Sequence, residues 1–218
     1  MRLSYKSGNL SDSETYKVEF DGPPNCGQGW LIDFGFTQSS SPCEVRATIS
    51  CYTQNPQGFS LVKEYSDVNI QATNTRVLFR YPRVTIEFEV FDNGGGGSVV
   101  CEAGGYYSNT SDAPKHANNY LYSYERLTID GSGNASVAVP HSANQWNFNS
   151  NNTGNSNVTC TYTDGEGALF QTVVSGIDYV RLLELESWKD LIGGASGSIR
   201  LQSGTLNDTF VIGFRYEI

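Results

Sequence analysis

Two pairs of carboxylates are the first residues here whose spacing could do chemistry. Glu87 and Glu89 lie in VTIEFEVF, and Glu184 and Glu186 lie in RLLELESW, each pair at i, i+2. Enzymes that cleave sugars use two such acids, one giving a proton while the other acts as base or nucleophile. On a strand, an i, i+2 pair shares one face. The face carrying Glu87 and Glu89 is opposite Ile86, Phe88 and Val90, so it points to water, where neighbouring acids serve solubility. A glycosidase also needs a cleft walled by aromatic rings. A carbohydrate-active enzyme using Glu87, Glu89, Glu184 or Glu186 is therefore the third of three functional readings.

The other catalytic constellations are incomplete. His116 and His141 are the two histidines, and both sit in loop-like surroundings, DAPKHANN and VPHSAN. No GxSxG elbow supplies a serine nucleophile. No HxH or HExxH supplies a zinc site, and the five cysteines, Cys26, Cys43, Cys51, Cys101 and Cys160, include no CxxC pair. Buried, reduced thiols are the preferred reading of these cysteines over a disulfide framework. The run Gly94–Gly97 lacks the Lys of a phosphate loop and is followed by β-like SVVC. It reads as a hairpin tip between strands. DGSGN at 130–134 has the oxygen spacing of a calcium loop, but His141 stands where the bidentate acid belongs, so it too reads as a hairpin turn. The sequence thus predicts no catalytic residue, no metal site and no cofactor. Six N-x-[ST] patterns, at Asn9, Asn109, Asn134, Asn151, Asn157 and Asn207, are about twice what chance gives in a chain this rich in Asn, Ser and Thr.

Aromatic residues make a more distinctive pattern. Tyr120, Tyr122 and Tyr124 alternate along one strand and so share a face. Trp146, in Asn-rich surroundings, is grouped with them as a ligand- or partner-binding surface, and Tyr106 and Tyr107 are further members. Such a row is either a polar-tipped core face or an aromatic platform for a sugar or another subunit.

These residues need elements to hold them, and period-two alternation runs along most of the chain. YKVEF (16–20), WLIDFGF (30–36), EVRATISCYT (44–53), TRVLFRY (75–81) and RVTIEFEVF (83–91) read as half-buried strands. Segments 119–130, 135–140, 157–163, 168–174, 198–203 and 209–218 read likewise, with Gly- and Asn-rich turns between them. A strand to about Glu186 and a short helix near 187–193 are expected, the helix from a capping pattern at Ser187 and Asp190 and a stop at Gly193–Gly194. No repeat period stands out. The expected fold is all-β, an antiparallel sandwich of jelly-roll type. One domain over 1–218 is expected, with a split at Gly94–Gly97 as the alternative.

Composition bounds the partners. The 218 residues carry a net charge of −9 and have no basic arm, which disfavours direct contact with nucleic acid. No apolar run is long enough to span a membrane, and the N-terminus has no apolar leader region. Arg exceeds Lys nine to five and Tyr numbers 13, a balance that suits protein interfaces. The leading expectation is a non-enzymatic structural protein that self-assembles or joins other structural subunits. A virion coat, decoration or tail component on an outer surface fits best, with an extracellular location as the alternative. A glycan-binding β-sandwich module is the second reading.

Overall fold

The structure, a computed structural model, describes residues 2–11, 14–22, 29–38, 43–70, 72, 75–92, 99–108, 118–150, 158–163, 169–174, 189–191, 197–203, 206–207 and 209–218. Sixteen strands and no helix occur among them. The chain divides into two compact units, Met1–Leu121 with Ile218, and Tyr122–Glu217. Against the expected single domain over 1–218, the boundary falls at 121/122 and not at the glycine run. The reason is that each group of eight strands builds two sheets of its own.

The first unit contains β1 (Arg2–Leu10), β2 (Thr15–Asp21), β3 (Gly29–Gln38), β4 (Glu44–Asn55), β5 (Gly58–Ile70), β6 (Thr75–Phe79), β7 (Arg83–Asp92) and β8 (Val99–Ser108). They form two four-stranded sheets, in the orders β1-β8-β3-β6 and β2-β7-β4-β5, with every pair antiparallel. This is the strand order of an eight-stranded jelly roll. The alternation read from the sequence sets the inward faces. Trp30, Ile32, Phe34 and Phe36 of β3 and Val84, Ile86, Phe88 and Val90 of β7 are all buried. Ring pairs join the two sheets, Phe20 with Trp30 at 5.3 Å and Tyr65 with Phe79 at 6.4 Å between centroids.

The second unit contains β9 (Tyr120–Thr128), which begins at the boundary, then β10 (Asn134–Ala138), β11 (Gln145–Ser150), β12 (Val158–Thr163), β13 (Leu169–Val174), β14 (Lys189–Asp190), β15 (Ser198–Ser203) and β16 (Thr209–Glu217). Its sheets have the orders β9-β16-β11-β14 and β10-β15-β12-β13. Adding eight to each strand number of the first unit reproduces this pattern. The chain is two jelly rolls in tandem along the sequence. Phe210, Ile212, Phe214 and Tyr216 of β16 line the second core with Trp146, Ile199 and Leu201.

Three expectations are corrected. The helix expected near 187–193 is not formed at Lys189–Asp190, which is strand β14. These residues pair with Trp146 and Gln145, and the Gln145 amide donates to Asp190 Oδ1 at 2.7 Å, so cross-strand pairing takes the Asp that would have capped a helix. Leu191 follows the strand, its amide donating to the Asn144 carbonyl at 2.9 Å, while Ser187, Trp188, Ile192 and Gly193 and the strand expected up to Glu186 lie outside the described residues. β7 and β8 do not pair as the hairpin expected around the glycine run, because they belong to different sheets; the run itself lies outside the described residues. DGSGN is a turn, but a corner between sheets and not a hairpin. Asp130 Oδ1 accepts from the Ser132 hydroxyl and from the amides of Ser132 and Asn134, and Gly133 supplies a φ of 81°. Those bonds, the hydroxyl first, hold the Asp130 carboxyl below its ordinary pKa.

Candidate interaction surface

The tyrosine row lies on the face of β9 away from the core. Leu121 and Ser123 are buried, while Tyr120, Tyr122 and Tyr124 are half-buried. The rings of Tyr122 and Tyr124 are within 3° of parallel, with centroids 6.3 Å apart, close to the i, i+2 rise of a strand. Burial and then the neighbouring Tyr122 push the Tyr124 hydroxyl up to about 12. Trp146 does not join this surface. It is 4% exposed and stands opposite Phe214 on the core face of β11. The Asn residues around it made it look accessible, but alternation within β11 turns it inward. Tyr107 is also buried, edge-on to Trp30 at 5.4 Å, whereas Tyr106 faces outward on β8 opposite Leu31.

The carboxylates separate in the same way. Glu184, Glu186 and His116 lie outside the described residues. His141 is exposed beside the Ser142 hydroxyl at 3.2 Å. Glu87 and Glu89 do face outward, on the sheet β2-β7-β4-β5, and a cavity of about 180 Å³ opens between them and Thr15, Arg46, Ala47, Thr48 and Asp67. No group of three or more His, Cys, Asp or Glu among the described residues could hold a metal ion. Cys51 and Cys101 are buried free thiols, both pushed up to about 12 by burial. Cys26 and the Cys160 side chain lie outside the described residues. No described helix is long and apolar enough to cross a membrane.

Sequence reading missed the apolar part of this outer face. Leu61, Val62 and Phe91 are each more than half exposed. Two of them sit at breaks in strand register. Val62 lies between Lys63, opposite Cys51, and Leu61, opposite Tyr52. Phe91 lies between Val90, opposite Val45, and Asp92, opposite Glu44. Alternation already turns Phe91 outward beside buried Val90, and Val62 outward beside Lys63, which stands opposite buried Cys51; the bulge at Val62 turns Leu61 outward as well. The Arg46 guanidinium covers Phe91 at 3.7 Å from the ring centre.

The fold and these surfaces define an all-β protein of tandem jelly rolls. No protein-family model and no curated protein matches the chain. Among solved structures, the chain is similar at 12% identity to the turret protein A223 of Sulfolobus turreted icosahedral virus, covering all of both chains with a TM-score of 0.25. It is similar at 10% identity to a Penaeus vannamei nodavirus structure, covering 98% of this chain and 99% of that one, with a TM-score of 0.25. A tripeptidyl peptidase 2 structure is matched at 10% identity over 94% of this chain and 22% of that one, with a TM-score of 0.30. Likenesses this loose carry no function from one protein to another.

Proposed function

We propose that this chain is a structural protein of a virion, placed on an outer surface and working by association with other subunits. The observation that carries the reading is the repeated jelly roll. Jelly rolls serve as coat subunits and as lectins, and this chain carries two of them along its sequence. Exposed Leu61, Val62, Phe91 and Leu206 and the half-exposed tyrosine row are side chains suited to subunit contacts. The net charge of −9 suits a location that does not grip nucleic acid. Tyr122→Ala should weaken association measured by sedimentation velocity. An unchanged association would remove the tyrosine face from the interface.

A second reading, glycan binding, is favoured by the parallel half-exposed rings of Tyr122 and Tyr124. A glycan-array signal abolished by Tyr122→Ala would favour it over assembly; an array without signals would end it.

A further inference from the structure

We infer that Asn207, in the turn that joins β15 to β16, is an acceptor for an N-linked glycan on the second unit. The inference goes beyond the assembly reading and does not depend on it.

An N-x-[ST] pattern makes an asparagine chemically eligible, but the folded chain decides which amide a transferase can reach. Of the six patterns, those at Asn109, Asn151 and Asn157 lie outside the described residues, so the comparison is among Asn9, Asn134 and Asn207.

Asn134 is closed. Its Nδ2 donates to the Ser132 carbonyl at 3.0 Å and to the Ser132 hydroxyl at 3.1 Å. Its Oδ1 accepts from Arg200 Nη2 at 2.6 Å and from Gln202 Nε2 at 3.1 Å. Offering this amide to an enzyme means breaking a partly charge-assisted network that ties β10 to β15.

Asn9 is exposed but held. It lies in β1, which pairs with β8 along its whole length, and the next residue, Leu10, is buried. Ser11, the last residue of the pattern, gives its amide to Glu14 Oε2 at 2.7 Å. A transferase must engage all three residues, and here the middle one belongs to the core.

Asn207 has neither restraint. It is exposed, as is Leu206 before it, and its side chain has no hydrogen-bond partner among the described residues. Its φ of 65° lies in the left-handed region, which asparagine enters more readily than most residues. The turn is pinned through the main chain, where the Asn207 amide donates to the Ile129 carbonyl at 3.0 Å. Thr209, the first residue of β16, completes the pattern. A fixed backbone with a free side-chain amide at a surface turn is what such a modification requires.

The donor is an oligosaccharide carried on a polyprenyl diphosphate. Asn207 Nδ2 bonds to C1 of the first sugar as the bond from C1 to the phosphate oxygen breaks. The lipid diphosphate leaves, and the amide proton passes to a base of the transferase. No oxidation or reduction is involved. A glycan at Asn207 would shield the neighbouring Leu206, leaving Leu61, Val62, Phe91 and the tyrosine row for subunit contacts.

The test gives the folded full-length chain to a single-subunit oligosaccharyltransferase that requires only N-x-[ST], with a lipid-linked oligosaccharide as donor. Glycopeptide mass spectrometry reads each site. Rates are divided by those of synthetic peptides carrying the same three patterns, which removes sequence preference. Asn207 should then exceed Asn134 and Asn9 by at least about tenfold, because only those two need local opening. Arg200→Ala/Gln202→Ala should raise modification of Asn134 severalfold, with circular dichroism confirming the fold. In the chain taken from its natural source, the peptide containing Asn207 should carry a glycan. Ratios near one, or an unmodified Asn207 in the natural chain, would overturn the inference. A chain that is monomeric yet modified at Asn207 would sink the self-assembly reading above and leave this site standing.

Discussion

Trp30 and Trp146 hold the same position in two copies of one strand order. Each is the second residue of its unit's third strand, and each faces its own core opposite an aromatic residue of that unit's last strand, Tyr107 or Phe214. Both are nearly inaccessible to solvent. Truncating either to Ala should cost about 3–5 kcal/mol, the range for losing a large buried ring. Urea unfolding followed by circular dichroism measures the loss. Hydrogen exchange should place it in the strands of the unit that carries the substitution, and a loss spread evenly over both units would contradict their separate cores.

Gly29 sits beside Trp30 with a φ of 131°, and a Cβ there would collide with the Phe79 carbonyl oxygen. Both the backbone conformation and the space demand glycine. Gly29→Ala should destabilise the first unit by at least about 1–3 kcal/mol. Gly58→Ala is the informative comparison, since Gly58 shares the positive φ, at 133°, but has open space around it. Equal urea midpoints for the two variants would mean that backbone conformation, and not the clash, sets the cost.

The thiols of Cys51 and Cys101 should be silent in the native protein. Burial raises both to about 12, so they remain protonated where an unfolded thiol, near 9, has begun to ionise. Between those values the folded state holds more protons than the unfolded state, so stability falls as pH rises from about 9 to about 12 and is fully present below. A thiol-reactive dye at pH 8 should label neither residue until denaturant is added. Prompt labelling of Cys51 or Cys101, located by peptide mass spectrometry, would contradict their burial.

Much of this architecture is legible as alternation. The strands from Thr15, Gly29, Glu44 and Arg83 carry apolar residues every second place, and pairing used those faces as expected. What alternation hides is where register breaks. β5 reads GFSLVKEYSDVNI, and its two register shifts scramble the pattern, so neither the strand nor its exposed Leu61 and Val62 announces itself. β11 was obscured for another reason: Asn147 and Asn149 suggest loop, yet Trp146 is in the core between strands β16 and β14. The duplication is invisible for a deeper reason. A jelly roll needs only inward apolar faces and corners at suitable intervals, so two copies can share every strand pairing without sharing residues. The tyrosine row was readable because β9 keeps strict alternation through Tyr124; the cavity at Glu87 and Glu89 was not, because it depends on Asp67 being turned by a bulge with φ 55°.

We propose that this chain works by assembly with its own kind or with other structural subunits, and self-association tests that most directly. Sedimentation velocity across a concentration series up to high micromolar should reveal species heavier than the 23.9 kDa chain, growing with concentration. A single 23.9 kDa species over the whole range, unchanged by salt, would contradict self-assembly.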